Sequence, residues 1–467
     1  MPIKFYDTYS RQLEEFKPIA PPKVTLYTCG PTVYSFAHIG NFRAYVFEDL
    51  LQRHLEARGF DVERVMNLTD VDDKTIRGSR EAGISLPEFT TKFKRAFFED
   101  IETLRIKRAN HFPAATEPEN LATMIEMIDQ LMREDIAYQA EDRSIYFRIS
   151  RYPDYGKLAH LNLAELRPSG RVRSDEYEKE NIGDFALWKA WDEKDGLVGW
   201  DAPWGRGRPG WHIECSAMAT RLLGPEIDIH CGGVDNIFPH HEAEIAQSEC
   251  VNRKKFVRYW PHNAHLLVEG QKMSKSLGNF FTLRDLLAKG FTGRELRYAL
   301  ISVNYRIPLN FTFDGLNQAR QSLLRIDEWL RRLRDIAADA EPHPQFTAAK
   351  SDSFFEALDD DLNISAALAE VFNQIRATNS SIDAGALTAG QAAALLDWWD
   401  RINQVLQLQE ETEPIPQNVN RLLQRRAAAR ADKNWPESDA LRAQIEALGW
   451  LVKDTRDGQK LTRKSGW

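Results

Sequence analysis

The chain has few cysteines for its length. Only four occur among 467 residues, at Cys29, Cys215, Cys231 and Cys250. They are too few and too scattered for a disulfide scaffold, so a fold held together by disulfide bonds is excluded. Burial or metal ligation must account for these thiols.

The sequence also lacks long apolar runs and low-complexity tracts. No apolar segment approaches the length of a membrane span. The first residues, 1–17, mix charged and aromatic side chains and do not form the apolar core of a signal peptide. We therefore expect a cytoplasmic protein without a membrane segment. The composition, with 43% hydrophobic and 28% charged residues, is that of a globular protein, and the length suggests roughly two to four domains.

Excess positive charge is absent from the chain as a whole. The net charge of −8 argues against sequence-independent coating of nucleic acid. Segment 421–467 differs, because it holds eleven Lys and Arg against six Asp and Glu. Its arginines, with Trp435 and Trp450, suit an unstacked RNA loop. A small basic cap with the tryptophans in its core is the alternative.

The start of the chain has the pattern of a doubly wound α/β domain. A strand is predicted over 24–29, a helix over 42–58 that ends near Gly59, and a second strand over 60–67. The strand pattern resumes at 227–230. This order is typical of a Rossmann-like parallel sheet, in which ligands bind beyond the carboxyl ends of the strands.

The second half of the chain is predicted to be mostly helical. Long amphipathic segments cover 317–335, 353–378 and 390–407. Helical and short strand-like pieces within 110–210 interrupt the α/β pattern and indicate an insertion. An acidic, proline-containing stretch at 410–418 is predicted to be a linker.

A motif near the N-terminus indicates a phosphate site. His38 and Asn41 lie in His-Ile-Gly-Asn where a turn enters the predicted helix, and backbone N–H groups at such a place attract phosphate. Gly40 would allow close approach of a nucleotide. Taken alone, His38 is more simply explained as a capping or packed histidine.

A second motif lies far downstream. Lys272 and Lys275 stand in Lys-Met-Ser-Lys-Ser, a segment bracketed by Gly270 and Gly278. It predicts a mobile cationic flap that closes on a triphosphate and holds charge as pyrophosphate leaves. A solvated basic loop is the alternative for such a segment alone. Both motifs in one chain, in this order, favour activation of an acid by ATP.

A third set of residues suggests a metal site. His240 and Glu244 are four apart in an apparent helix start with Pro239 in its first turn, so their side chains share one face. Together with Cys29 and Cys215 they make a plausible tetrahedral zinc set. The alternatives are buried thiols beside a surface His/Glu pair, or a ligand set that uses His230, Cys231 or His241 instead.

Several segments together resemble the cysteinyl-tRNA synthetases, and the resemblance covers nearly the whole chain. The lysine segment matches the KMSKS signature of class I aminoacyl-tRNA synthetases at every position. The other matching segments are 29–34 (CGPTVY), 67–74 (NLTDVDDK), 184–189 (DFALWK), 210–218 (GWHIECSAM), 228–235 (DIHCGGVD) and 240–242 (HHE).

The resemblance implies one Zn²⁺ per chain, bound to the sulfur of the substrate and held by Cys29, Cys215, His240 and Glu244. It places Thr69 and Trp211 near the amino acid, and Asp235 near the ribose or the substrate amino group. Zinc would help to select cysteine over serine, which differs from it by one atom. A steric pocket alone would favour one of two such substrates by no more than about a hundredfold. A soft metal prefers a thiolate to a hydroxyl.

The implied reaction has two steps. L-Cysteine and ATP give cysteinyl-adenylate and pyrophosphate, and the 3′-terminal ribose of tRNA(Cys) then takes the acyl group. ATP, accompanied by Mg²⁺, would be bound by His38, Gly40, Asn41, Asp235, Lys272 and Lys275, of which His38, Asn41, Lys272 and Lys275 would be catalytic. Asn41 stands where the signature has histidine; it can donate a hydrogen bond without carrying charge, and we expect function to survive.

The resemblance also implies a domain layout. We predict a Rossmann-like catalytic domain over 1–110 and 211–285, a connective insertion over 111–210, a stem-contact region over 286–330, a helical bundle over 331–408 and a C-terminal anticodon-binding domain over 421–467. We expect a monomer. Two rival hypotheses are a related cysteine ligase of the mycothiol pathway, which lacks a full anticodon-reading tail, and a non-catalytic RNA-binding or metal-sensing paralogue.

Overall fold

A computed structural model of the protein describes residues 2–161, 183–338, 352–410, 416–455 and 458–463. The strands are β1 (Lys4–Asp7), β2 (Gln12–Glu15), β3 (Lys23–Thr28), β4 (Asp61–Met66), β5 (Ala137–Gln139), β6 (Ile145–Phe147), β7 (Phe185–Ala190), β8 (Gly207–Pro209), β9 (Ile227–Gly233), β10 (Val257–Tyr259), β11 (His262–Asn263), β12 (Leu266–Val268), β13 (Gln271–Lys272), β14 (Leu309–Phe311), β15 (Trp450–Thr455) and β16 (Gly458–Arg463). The helices are α1 (Ile39–Ala57), α2 (Asp73–Ala82), α3 (Leu86–Thr103), α4 (Pro118–Arg133), α5 (Trp211–Leu223), α6 (Glu242–Asn252), α7 (Leu283–Ala288), α8 (Gly293–Ile301), α9 (Phe313–Ala337), α10 (Asp352–Asp359), α11 (Ile364–Asp383), α12 (Ala389–Leu406), α13 (Gln417–Ala431) and α14 (Trp435–Ala447).

Two compact units divide the chain, Met1–Gln409 and Glu410–Trp467. The finer domain boundaries predicted from the sequence stay predictions. Residues 162–182 of the predicted insertion and 411–415 of the predicted linker lie outside the described residues. Within the described part of the chain, no helix is both long enough and apolar enough to span a bilayer.

A parallel sheet forms the centre of the first unit and confirms the predicted α/β pattern. Its strand order is β10-β9-β3-β4, and β11 adds a short parallel pairing to β9. The strands are rich in buried apolar residues such as Val24, Leu26, Val62 and Ile229, as expected for a sheet covered on both faces. Because β3 pairs in parallel with both β4 and β9, the carboxyl ends of all three meet at one edge.

Helix α1 connects β3 to β4 and packs on this sheet. It buries an apolar stripe that includes Phe42, Val46 and Leu50, the pattern from which the helix was predicted. The chain leaves the helix through Gly59, whose φ of +91° is a conformation that glycine adopts without strain.

The predicted insertion contains an antiparallel sheet. Its strand order is β5-β6-β7-β8, and these short strands correspond to the strand-like pieces predicted within 110–210. The rings of Phe147 and Phe185 stack 4.9 Å apart, and Trp188 is fully buried beside them. This small apolar core gives the insertion a rigid sheet from which Arg208 and Pro209 border the site described below.

The helical half departs from the sequence prediction at one place. The helices predicted over 317–335 and 390–407 correspond to α9 and α12. The segment 353–378 is not one helix, because the chain breaks between α10 and α11, where Asp361 and Leu362 have φ values of 58° and 49°. The break places the Asp361 carboxylate where it accepts hydrogen bonds from the Tyr6 N–H, the Tyr305 hydroxyl and the Arg306 guanidinium.

The second unit packs α13 and α14 against the antiparallel pair β15–β16. Trp450 is only 6% exposed and belongs to its core, with Val419, Ile445 and Val452. The expectation that Trp450 stacks on RNA is therefore wrong, since stacking would require the unit to open. Trp435 is 53% exposed, and the Arg430 guanidinium lies 5.5 Å from its ring centre. Helix α13 begins at Gln417, so the end of the predicted linker is helical.

A buried arginine ties α1 to the helical half. Arg297 of α8 is fully buried and donates to the backbone oxygens of Leu104 and Leu406 and to the Asp49 carboxylate of α1. Arg53 donates to the same carboxylate. The site helix α1 is thus fixed relative to the end of α12 by a charge that has no access to water.

We expect Arg297→Met to lower the free energy of unfolding of the first unit by about 3–5 kcal/mol, because it leaves the Asp49 carboxylate buried with fewer partners. Arg320→Met is the matched control. Arg320 forms an ion pair with Glu295 but its side chain is 38% exposed, so the change should be below about 1 kcal/mol. Urea denaturation followed by pulse proteolysis measures both. Equal losses of unfolding free energy in the two variants would show that the burial of Arg297 does not determine the size of the loss.

Candidate active site

Four side chains predicted to bind metal converge at the carboxyl edge of the sheet. Cys29 follows β3, Cys215 lies in α5, and His240 lies in the turn that leads into α6, which carries Glu244. One donor atom from each lies within 4.8 Å of every other. The imidazole Nε2 of His240 is 3.0 Å from Glu244 Oε1, as the spacing of four predicted. His240 lies in a helical turn, Ile237–His241, that runs directly into α6, as the predicted helix start at Pro239 requires.

The electrostatics of this cluster favour a bound cation. Burial opposes ionisation of Cys215, but the hydrogen bond with Cys29 and the charge of His240 lower its pKa to about 6. Burial likewise opposes ionisation of Glu244, yet His230 and His240 lower its pKa to about 2. Burial would lower the pKa of His240, and Glu244 and Cys215 instead raise it to about 10. A buried anionic pair therefore holds a proton on His240, in the place where a metal ion would bind.

The donors fit a zinc ion. Tetrahedral zinc, with ligand distances of about 2.0–2.3 Å, separates its donor atoms by about 3.3–3.8 Å, and the four observed donor atoms lie within 4.8 Å of one another. Glu244 Oε1 is buried, and its contact with His240 Nε2 at 3.0 Å lacks the geometry of a hydrogen bond. A metal ion would satisfy this atom, and two sulfurs, an imidazole and a carboxylate are ligands that zinc accepts.

A second donor set overlaps the first. Cys29, His230, His241 and Glu244 also lie within 4.8 Å of one another. His230 Nε2 is 2.9 Å from Glu244 Oε2, and His241 Nε2 is 3.3 Å from Cys29 Sγ. This set leaves out Cys215, the thiol with the lowered pKa. Cys231 belongs to neither set and is buried in an apolar cluster with Val24 and Leu26.

His38 and Asn41 lie at the start of α1, as the sequence predicted. His38 is the N-cap residue, and its Nδ1 accepts from the Asn41 N–H at 3.2 Å. In return the Asn41 side-chain oxygen accepts from the His38 N–H at 3.1 Å. This reciprocal capping box is a role of Asn41 that the sequence reasoning missed, although the spacing of three was a signal for it.

The two nucleotide motifs contact each other. The N–H of Ile39 donates to the Phe281 carbonyl at 3.0 Å, and the rings of His38 and Phe280 meet edge to face at 5.1 Å. A Cβ on Gly40 would lie 3.2 Å from the Met273 methyl and 3.0 Å from the His38 ring. Gly40 therefore permits this close approach as well as that of a ligand.

The lysine segment is a loop closed by side-chain hydrogen bonds. Lys272 is exposed at the end of β13, and the Asn279 side chain bonds both the Lys272 carbonyl and the Ser274 N–H. Gly270 and Gly278 have φ values of +75° and +66°, so glycines are suited to both bends. The backbone of Lys275 lies in a short 3₁₀ turn, and its side chain lies outside the described part of the structure.

The residues expected near the amino acid differ in their burial and in their contacts. Trp211 stacks on the His240 ring at 4.1 Å. It also lines a pocket of about 190 Å³, with Thr32, Val71, Asp72, Asp73, Lys74, Lys189, Arg208 and Pro209. Thr69 is buried and donates to the Glu214 carboxylate at 2.8 Å. Asp235 is exposed in the loop after β9.

Two groups of residues at this site were not predicted from the sequence: the histidines His212 and His262, and the polar pair Asn67 and Glu214. His212 Nδ1 is 2.9 Å from His240 Nδ1, and His262 Nε2 is 2.8 Å from His241 Nδ1. Burial raises the pKa of Glu214 well above its usual value. Asn67 bonds Thr69. His212, Glu214 and Asn67 lie in the segments that carried the family resemblance. The sequence does not identify the residues that they contact in the folded chain.

Comparisons with known proteins agree with this arrangement. Residues 15–321 match the family model for the class I (C) tRNA synthetase catalytic domain, residues 353–408 a DALR domain, and residues 412–461 a cysteinyl-tRNA ligase anticodon binding domain. The cysteine–tRNA ligase of Chlamydia muridarum is 50% identical over 99% of this chain and 100% of its own length. That of Protochlamydia amoebophila is 49% identical over 99% and 98%.

Solved structures show the same fold at low identity. Mycobacterium tuberculosis methionyl-tRNA synthetase with methionyl-adenylate has a TM-score of 0.62 and 15% identity, covering 82% of this chain and 90% of that one. The LeuRS ternary complex of Agrobacterium radiobacter K84 has a TM-score of 0.61 and 12% identity, covering 84% and 85%. These likenesses confirm the predicted fold class. With the full-length relatives and the matching family models, they establish that the chain belongs to the cysteinyl-tRNA synthetase family, the cysteine–tRNA ligases of class I.

Proposed function

We propose that this site joins L-cysteine to ATP, giving cysteinyl-adenylate and pyrophosphate, and then passes the cysteinyl group to the 3′-terminal ribose of tRNA(Cys) with release of AMP. One observation carries the choice of amino acid. Cys29, Cys215, His240 and Glu244 bring their donor atoms within 4.8 Å of one another at the carboxyl edge of the sheet. That edge is where doubly wound sheets bind their ligands.

The four donors would hold one Zn²⁺. Of the two overlapping donor sets, this one contains both sulfurs, and thiolates are the ligands that favour zinc over harder cations. When bound there, zinc supplies a soft Lewis acid that prefers a substrate thiolate to a hydroxyl. Trp211 stacks on the His240 ring and would help to shield the centre from water.

The adenylating residues act by position and charge. At the start of α1 the Ile39 and Asn41 N–H groups already donate to Phe281 and His38, so the Gly40 N–H and the positive end of the helix dipole would bind phosphate, and Gly40 leaves space for it. Lys272 and Lys275 would neutralise the charge that builds up as pyrophosphate leaves, and Mg²⁺ would accompany ATP. Asp235 would bind the ribose or the substrate amino group.

The C-terminal unit supports tRNA as the acyl acceptor. The match over 412–461 is to an anticodon binding domain, which a ligase acting on an amino-sugar does not need. The exposed Trp435 beside Arg430 offers the stacking surface that single-stranded bases use. The predicted domain boundaries, the monomeric state and the cytoplasmic location remain predictions from the sequence.

The proposed function predicts that the purified protein charges tRNA(Cys) with radiolabelled cysteine and discriminates strongly against serine. A steric pocket alone would discriminate by no more than about a hundredfold, so a larger ratio of kcat/KM is expected. Comparable charging with serine would contradict selection by the proposed zinc site. Absence of charging with either amino acid would contradict the function itself.

Cys215→Ser should reduce the zinc content of the purified protein and raise the KM for cysteine at least about tenfold, since loss of even an outer-shell partner has effects of that size. Cys231→Ser is the matched control, because Cys231 is equally buried and belongs to neither donor set. Zinc is measured by mass spectrometry after exposure to a chelator, and the KM by cysteine-dependent pyrophosphate exchange. Full zinc content in Cys215→Ser would overturn the ligand assignment.

Lys275→Ala should slow cysteine-dependent pyrophosphate exchange by about 100- to 1,000-fold, the usual cost of removing one group that stabilises transition-state charge. Zinc content should not change. Lys254→Ala provides the control, because Lys254 is an exposed lysine in the loop between α6 and β10. An unchanged exchange rate in Lys275→Ala would remove this lysine from the mechanism.

A further inference from the structure

A chain of hydrogen bonds links the two cysteines of the proposed zinc site from behind. The N–H of Gly30 donates to Asn67 Oδ1 at 2.9 Å, and Asn67 Nδ2 donates to Thr69 Oγ1 at 3.2 Å. Thr69 Oγ1 in turn donates to Glu214 Oε2 at 2.8 Å. We call Gly30, Asn67, Thr69 and Glu214 the brace. Its first member follows Cys29 in sequence and its last member precedes Cys215.

The brace is buried and closely fitted. Asn67, Thr69 and Glu214 are each no more than 2% exposed. A Cβ on Gly30 would lie 1.8 Å from the Asn67 carbonyl oxygen, so only glycine allows the two segments to come this close. The Thr69 backbone is fixed on both sides, because its N–H donates to the Pro31 carbonyl and its carbonyl accepts from the Val33 N–H.

The hydrogen bonds of the Thr69 hydroxyl determine whether it can still donate to a ligand or accept from one. A threonine hydroxyl has one hydrogen and two lone pairs. The hydrogen is used on Glu214, and one lone pair is used by the Asn67 amide. The remaining lone pair accepts and cannot donate. It suits the α-ammonium of an amino acid, which carries donors only.

Glu214 has one further unexplained feature. Its Oε1 atom is buried and has no hydrogen-bond partner, and such atoms in native proteins call for an explanation. Glu214 lies three residues after Trp211 in α5, so the two side chains share a helix face. The same face of α5 therefore presents the pocket-lining tryptophan, the unpaired carboxyl oxygen and, at the next residue, Cys215.

We propose that Glu214 is a positioning residue: through Thr69 and Asn67 it sets the separation of Cys29 and Cys215, and it orients the Thr69 hydroxyl as an acceptor for the substrate amino group. This proposal rests on the proposed function, because it assumes that cysteine is the ligand at the four donors. Glu214 itself need not touch the substrate. Its effect is on metal retention and on the binding of the amino acid, and not on ATP.

The test compares Glu214→Leu, Glu214→Gln and Thr69→Val in the full chain. Zinc affinity is measured by competition with a chromophoric chelator, and the KM values for cysteine and ATP by pyrophosphate exchange. We expect Glu214→Leu and Thr69→Val to weaken zinc binding and to raise the cysteine KM by about 10- to 100-fold, with the ATP KM unchanged. Glu214→Gln should recover most of both, because its amide oxygen can still accept the Thr69 hydrogen.

Two further variants separate positioning from general damage to α5. Ser216→Ala is the matched control, because Ser216 is buried on the other side of Cys215 and bonds Gln247 outside the brace. It should keep zinc affinity and the cysteine KM near wild type. The double variant Glu214→Leu/Thr69→Val should be no worse than the more affected single variant, since both remove the same hydrogen bond.

Several outcomes would overturn the proposal. They are wild-type zinc affinity and cysteine KM in folded Glu214→Leu or Thr69→Val, additive effects in the double variant, or a Ser216→Ala defect as large as that of Glu214→Leu. If Glu214→Leu does not fold, Thr69→Val, which is nearly isosteric, decides alone. A wild-type protein that charges cysteine while these variants behave normally would refute the brace and leave the proposed function standing. A wild-type protein that does not charge cysteine would refute the function first.

Discussion

The parallel pairing of β3 with both β4 and β9 is the constraint on which the site depends. It brings the ends of three strands to one edge, so that Cys29, the Asn67–Thr69 segment and the loop carrying Asp235 meet there. Helices α5 and α6 then add Cys215 and Glu244 from the connections on either side of β9. No two of the four proposed zinc ligands are adjacent in sequence, so the sheet and the helices on either side of β9 together assemble the centre.

The charges at this edge explain why a cation belongs there. A buried thiol, a partly buried thiol, a buried carboxylate and several buried imidazoles lie together, and burial by itself would keep each of them neutral. Mutual interactions overcome this, as the low pKa of Glu244 and the raised pKa of His240 show. As a result, the negatively charged Glu244 carboxylate lies beside a protonated His240 imidazole. A divalent ion can replace that proton without any large movement of the chain.

The phosphate half of the site is joined to the sulfur half through α1. This helix starts at the His38–Asn41 capping box, which contacts Phe280 and Phe281 just after the lysine segment, and it is anchored at Asp49 by a buried arginine. A helix of this length is stiff, so its N-terminus has a defined position relative to Cys29, ten residues earlier in the chain. The residues that would activate the carboxylate and those that would bind the thiol are therefore held in a fixed relative position.

The sequence by itself determined the elements that local patterns encode and the residues that motifs encode. Helical spacing over 42–58 predicted α1, alternation of strands and helices predicted the parallel sheet, and motif residues identified Cys29, Cys215, His240 and Glu244 as a donor set. It failed at 353–378, where the turn at Asp361 is stabilised by Tyr6 and Tyr305, residues far away in the chain. It also failed at Trp450, because local basicity indicates RNA while burial depends on packing against Val419 and Ile445.

Only the tertiary structure decided that Cys231 lies apart from both donor sets and what surrounds the donors. Cys231 and Cys215 look alike in sequence, yet β9 turns Cys231 into an apolar cluster and α5 turns Cys215 toward His240. The capping role of Asn41 and the brace through Asn67, Thr69 and Glu214 likewise emerge only in three dimensions. The physical reason is the same in each case: a hydrogen bond or a metal site depends on distances of about 2–3 Å between atoms, and for residues far apart in a chain the fold alone sets those distances.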